Sequence, residues 1–280
     1  MIKKIRRNSP TKVASGFTFY PYGLYNWADN ENSMVFFATY HGLIDLEEYS
    51  EAAGKCCENS IFDMDNCHFH ESEVQECNDF LAKVAEITWS SGILPYNMYQ
   101  PCQQPSELTK FFDVITKKVL KKSSRLYKFG GPPCEDDGFL IKYFNRKDVK
   151  AAFHVKSDIK WETCASNLDY DMQVKDTVPY FSDILDANYD RKVLIYSGDV
   201  DMACNFLGTE HFLEARLVPE IGYRTAKEYR EWMSTSDENG PQVAGFAKDW
   251  KSPNSKNSLH FRTIRGAGHM LFITKNSKIL

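Results

Sequence analysis

Long apolar runs are missing from this sequence, and none approaches the roughly 20 residues that a membrane-spanning helix needs. The basic start, Met1-Ile2-Lys3-Lys4-Ile5-Arg6-Arg7, is followed by Asn8, Ser9, Pro10 and Thr11 instead of an apolar stretch, so the expectation is that the chain as written has no secretion signal. An excess of charge of one sign is also missing. The formal net charge is -4 and the basic residues are scattered, which gives no phosphate-backbone footprint and no expectation of a nucleic-acid or membrane partner. Lys117, Lys118, Lys121 and Lys122 do cluster, and they read as a solvated helix face. There is no Asn-x-Ser/Thr acceptor with a permitted middle residue, no internal repeat and no low-complexity segment.

What remains is an ordinary globular balance, 42% hydrophobic and 26% charged, over 280 residues. That length holds one large core, or a core with a smaller inserted subdomain. The eight cysteines, at 56, 57, 67, 77, 102, 134, 164 and 204, are dense for a reducing cytosol and typical of exported proteins. Oxidising cysteines without a secretion signal lead to the expectation that the start of the protein is incomplete. Cys56, Cys57, Cys67 and Cys77 lie near His68 and His70, and together they could be read as a zinc site. Structural zinc sites separate their first two cysteines by two to four residues, and Cys56 and Cys57 are adjacent, so disulfides are expected and metal is not. Four cysteines pairing among themselves allow three connectivities.

Along the chain, residues 1–33 read as irregular, and Met34–Tyr40 as a helix ending at His41-Gly42. Residues 56–77 read as loop. Ser72 is the expected N-cap of the next helix, with Gln75 as its capping-box partner, and Phe80, Leu81, Val84, Ala85 and Ile87 supply the helical period. Further helices are expected at Glu107–Lys122, Lys147–Val155, Asp176–Tyr189 and Thr209–Leu217, with a break at Gly130–Pro133. Lys192–Tyr196 reads as a fully buried parallel strand, Tyr229–Met233 and Val243–Trp250 as an antiparallel pair, and His260–Ile264 as the last strand. A helical, cysteine-bearing region thus precedes an α/β region.

Two residues stand where open α/β sheets gather their chemistry, in loops at the carboxyl ends of strands: Asp201 after Lys192–Tyr196, and His269 after His260–Ile264. The order acid, then histidine, is that of the α/β-hydrolases. A neutral imidazole takes a hydroxyl proton on one nitrogen while a buried carboxylate holds the other N–H. Asp199 is the competing carboxylate; Asp201, deeper in the loop, is the preferred one. His41, His154, His211 and His260 read as structural or surface residues, with no partner foreseen for His211. Trp232 and Trp250 read as core or hairpin packing.

The wording of these segments resembles the serine carboxypeptidase family, and within it a lysosomal branch. The acid segment Tyr196–Phe206, the hairpin Gln242–Phe246 and the histidine segment Ile264–Met270 resemble that family's motifs, as do Asn32-Ser33, Tyr40–Ile44 and Cys56-Cys57 upstream. The resemblance implies a partial α/β-hydrolase fold with a helical, disulfide-bearing cap insertion. Its expected division is an irregular lead-in at 1–46, the cap at 47–160 and the core at 161–280. It implies Asp201 as acid and His269 as base, with Cys204, a free thiol, and Met270 beside them. It implies the disulfides Cys56–Cys77, Cys57–Cys67 and Cys102–Cys134, with Cys164 paired to a cysteine of the family's N-terminal part. The activity implied is release of C-terminal amino acids from peptides by acyl transfer, without a cofactor, in a lysosomal or secreted protein whose family allows a homodimer. The family's Gly-x-Ser-x-Gly elbow does not occur here, the Asn-Gly segment of the family's N-terminal half has no counterpart, and Leu271–Thr274 departs from its pattern. The expectation is therefore an incomplete copy, inactive and poorly stable alone, with a non-catalytic binding protein that retains the cap as the alternative.

Overall fold

The computed structural model describes residues 27–58, 60–70, 72–100, 138–163, 176–186, 190–234 and 240–270. The expected helix at Glu107–Lys122 with its lysines, the Gly130–Pro133 break, Cys102, Cys134, Cys164 and Leu271–Thr274 lie outside the described residues.

The first helix, α1, runs Trp27–Tyr40, seven residues earlier than Met34. Its start was illegible because its packed face is polar. Ser33 Oγ donates to the Asn30 carbonyl at 2.9 Å and accepts from Asn205 Nδ2 at 3.1 Å, and both Asn30 and Ser33 are buried. Helix α2 (Leu46–Cys56), inside the expected helical region, starts on Asp45, whose Oδ1 accepts from the amides of Glu47 at 2.9 Å and Glu48 at 3.3 Å. It buries Tyr49, Ala53 and Cys56 at helical spacing. Helix α3 (Gln75–Ser90) buries Phe80, Val84 and Ala85. Ser72 is not its N-cap: Val74 is, with no side-chain bond. Asn78 Nδ2 instead donates to the Ser72 carbonyl at 2.6 Å, and Gln75 donates to Asp79 at 2.8 Å, so the lead-in is held from within the helix.

Met34, Val35, Phe36, Tyr49, Phe69, Phe80 and Val84 form one apolar cluster among these three helices. Cys56–Cys77 ties α2 to α3, and Cys57–Cys67 closes the loop between them, in which Met64–Asn66 makes a single 3₁₀ turn. The loop folds back on α1, where Asn32 Oδ1 accepts from the amides of Phe69 at 2.9 Å and His70 at 3.1 Å, and Glu31 pairs with the His70 ring. Loops of this size cross-linked by a disulfide gain about 3 kcal/mol each, chiefly from the unfolded chain. Reduction is therefore expected to lower the urea midpoint of the oxidised chain, and an unchanged midpoint would contradict a supporting role for these two bridges.

Helices α4 (Gly138–Phe144) and α5 (Lys147–Ala152) follow. The latter stops before Val155, because His154 adopts a left-handed φ of 57°. Helix α6 (Val178–Asp186) begins two residues after Asp176, and residues 187–189 of the expected span lie outside the described residues. The sheet has the order β1-β4-β3-β2, with β1 Lys192–Gly198, β2 Arg224–Ser234, β3 Gln242–Lys251 and β4 Ser258–Ile264. β1 and β4 are parallel, and β2–β3 and β3–β4 antiparallel, as expected of the Tyr229–Met233 and Val243–Trp250 pair. Between β1 and β2 lie α7 (Phe206–His211), a π-helical stretch Phe212–Leu217 and α8 (Val218–Ile221), closed by Gly222 in the left-handed conformation.

Val193, Ile195, Trp250, Leu259 and Phe261 on one sheet face pack with Phe181, Leu185, Phe212 and Leu213 of the helices into a second cluster. β1 is not buried on both faces, for Leu194 and Tyr196 are only half-buried. Strand alternation turns the neighbouring His260 and Arg262 to the opposite face, where they surround Asp249.

Candidate active site

Parallel pairing sets the site. The register matches Gly198 with Ile264, so β1 and β4 end level and their following loops emerge side by side. Gly198 makes the approach close enough to count: a Cβ there would stand 2.1 Å from the Ala267 carbonyl oxygen. The loops then cross-bond, with Asp199 N donating to the Ile264 carbonyl and Val200 N to that of Ala267, both at 3.2 Å. The acid loop ends on Asn205, whose Oδ1 caps α7 by accepting from Gly208 N at 3.0 Å.

In this frame Asp201 and His269 meet. His269 Nδ1 donates to Asp201 Oδ2 at 2.8 Å, and Asp201 Oδ1 accepts from the Cys204 amide at 3.1 Å. Asp201 is 2% exposed. Burial pushes its carboxyl pKa up; the hydrogen bond and charge of His269, then the amides of Cys204 and Ala203, oppose that. Asp199 takes a different role. Its Oδ1 accepts from Gly266 N at 2.6 Å, stapling the histidine loop, and burial raises its carboxyl against that bond. Cys204 is buried and belongs to neither disulfide, and donor atoms of Asp201, Cys204 and His269 lie within 4.8 Å of one another. Among the described residues these three could offer ligands to a metal ion, although the carboxylate and imidazole already engage each other. Met270 follows as an exposed side chain. Cys56, Cys57, Cys67 and Cys77 belong to the helical cluster, while Cys102 and Cys134 are outside the described residues.

Two features went unread in the sequence. The His269 amide donates to the Tyr96 carbonyl at 2.7 Å, and the Tyr96 ring lies 5.0 Å from the imidazole. A main-chain acceptor leaves no signature in residue type, so nothing marked the segment after α3. His211, for which no partner was foreseen, has one: its Nε2 meets Asp65 Oδ1 at 2.7 Å, joining the disulfide loop to α7. The pairing spans distant parts of the chain, beyond any local pattern. His260 and the two tryptophans are structural, with Trp250 in the core and Trp232 Nε1 donating to the Thr263 carbonyl at 2.9 Å.

Comparison with known proteins bears on the family and the fold of the chain. A sequence profile described as serine carboxypeptidase matches residues 21–280. The lysosomal protective protein of Mus musculus is 30% identical over 269 residues, covering 89% of this chain and 53% of that protein. Serine carboxypeptidase ctsa-4.1 of Caenorhabditis elegans is 27% identical over 258 residues, covering 89% and 52%. The crystal structure of Kex1, a prohormone-processing carboxypeptidase from Saccharomyces cerevisiae, superposes with a TM-score of 0.53 at 17% identity, covering 91% of this chain and 51% of that one, a likeness of fold. The chain spans about half the length of the curated relatives it matches. With a profile covering nearly all of its residues and an α/β-hydrolase-type sheet beneath the paired loops, this chain belongs to the serine carboxypeptidase family.

Proposed function

We propose that this chain supplies the base, His269, and the acid, Asp201, of a Ser-His-Asp site that releases C-terminal amino acids from peptides. The observation that carries the reading is the 2.8 Å bond between the two side chains, made by loops at the level ends of parallel strands. With Nδ1 held by Asp201, His269 takes the proton of an attacking seryl hydroxyl on Nε2 and returns it to the leaving amine. The buried carboxylate fixes the tautomer and stabilises the imidazolium. Cys204 and Met270 flank the pair. The sequence has no Gly-x-Ser-x-Gly pattern, so in this reading the hydroxyl and its oxyanion donors come from polypeptide other than these 280 residues, and the chain alone does not hydrolyse peptides.

The same reading takes 1–46 as lead-in, 47–160 as helical cap and 161–280 as core; the separate clusters of the helices and of the sheet support a cap and a core, with Met34, Val35 and Phe36 of the lead-in packed into the former. It places the protein in a lysosomal or secreted setting, supported by the lysosomal relative and the paired cysteines, and allows a homodimer. Among the described residues no helix is long and apolar enough to cross a membrane.

The test is a chimera in which residues 23–270 replace the matching segment of the mouse lysosomal protective protein. Hydrolysis of a blocked dipeptide is expected, with loss in His269→Ala. A chimera that folds, yet is neither labelled by a fluorophosphonate nor active on the peptide, overturns the proposal.

A further inference from the structure

The short turn after α3 touches both loops of the site. Pro95 offers its carbonyl to two amides of the acid loop, Met202 at 2.8 Å and Ala203 at 3.2 Å. Tyr96 offers its carbonyl to the amide of His269 at 2.7 Å. Met98 N completes the contact by donating to the Val200 carbonyl at 3.1 Å. Four main-chain bonds thus run from one turn to the flanks of Asp201 and to His269 itself. Gly268 is what lets the turn in: a Cβ at that position would stand 2.1 Å from the Tyr96 carbonyl oxygen and 2.7 Å from Asn97 Cβ. No other side chain fits without moving the main chain. Leu94, 1% exposed, anchors the turn, and the Tyr96 ring, in edge contact with Trp89 of α3 at 5.9 Å, covers the imidazole.

We infer that the turn Leu94–Met98 is the positioning element of the acid–base pair, with Gly268 as the positioning residue that admits it. The inference rests on Asp201 and His269 being that pair. The bonds between the loops themselves, from Asp199 to Ile264 and Gly266 and from Val200 to Ala267, stop short of Gly268 and His269, and a small error of angle at a proton-transferring group costs rate steeply. A rigid support with carbonyls aimed at both loops guards against that error. The support grows directly out of α3, whose first turn is tied by Cys77 to Cys56 of α2, so the disulfide-bearing helices share one continuous segment with the site. A displacement of α3 is thereby transmitted to the alignment of the pair.

The experiment uses the whole chain labelled with ¹⁵N-histidine and reads the low-field Nδ1 proton that a carboxylate-bound imidazole gives. Wild type is expected to show it, and so is the comparison variant Gly54→Ala, where an added Cβ meets nothing within 4 Å. Gly268→Ala is expected to lose the signal while its amide spectrum stays dispersed. Retention of the signal in folded Gly268→Ala overturns the inference. Absence of the signal in wild type overturns the acid–base reading instead. Should Gly268→Ala fail to fold, amide exchange in the wild type decides. The amides of Met98, Met202, Ala203 and His269 are expected to exchange at least about a hundredfold more slowly than open chain, and open-chain rates overturn the positioning role.

Discussion

Asp201→Asn is expected to lower turnover of the assembled site by about ten-thousandfold, with little change in fold. The asparagine fills the same volume in a place that is 2% exposed, and its oxygen still accepts from the Cys204 amide at 3.1 Å. What it cannot do is hold the imidazole with its proton on Nδ1. An amide NH₂ facing that nitrogen selects the opposite tautomer, which puts the proton on the nitrogen that has to receive one. The measurement is kcat of the chimera with and without the substitution, beside circular dichroism of both. A fall of less than about tenfold would mean that the bond at 2.8 Å has no part in catalysis.

The largest effect on stability is expected at Asp249. This carboxylate is 5% exposed and accepts from Arg262 Nη1 and His260 Nδ1, each at 2.7 Å, and from Arg230 Nη2. Asp249→Ala leaves two guanidinium groups facing one another around a vacancy, and breaking a buried ion pair in this way costs about 3–5 kcal/mol. A urea midpoint within error of the wild type would refute that. The pH dependence follows from the same contacts. Burial alone would raise the carboxyl, but the hydrogen bonds from Arg262, His260 and Arg230 outweigh it and hold the pKa well below the ordinary carboxylate range. The folded state therefore resists protonation where the unfolded chain accepts it. The stability is present above the ordinary carboxylate pKa and is lost as pH falls through the folded value. Between about pH 6 and about pH 3 the wild-type midpoint is expected to fall more than that of Asp249→Asn.

This cluster also shows why one face of the sheet was hard to foresee. Lys192–Tyr196 looked like a strand buried on both sides because Val193, Leu194 and Ile195 are consecutive and apolar. Only Val193 and Ile195 enter the core, while Leu194 shares its face with charged residues of β3 and β4 that satisfy one another. A short apolar run records composition and says nothing of what covers each side. Helix α1 errs the other way. Asn30 and Ser33 hide its first two turns because they are polar, yet they are buried against the helix that begins at Phe206.

Residue order alone determined that a strand, a helix, a hairpin and a last strand follow one another in the second half, and that a carboxylate and an imidazole follow two of the strand ends. Those features follow from side-chain periodicity and from glycines at turns, which are written in residue type. Only the folded chain decided that Asp201 meets the imidazole while Asp199 staples Gly266, that His211 reaches Asp65, and that Pro95 and Tyr96 support both loops. Two aspartates with one residue between them differ little in pattern: depth in the loop favoured Asp201, but nothing in residue type foretold the bond of Asp199 to Gly266. Carbonyl acceptors belong to every residue alike, so contacts made through them emerge only when distant segments are brought together.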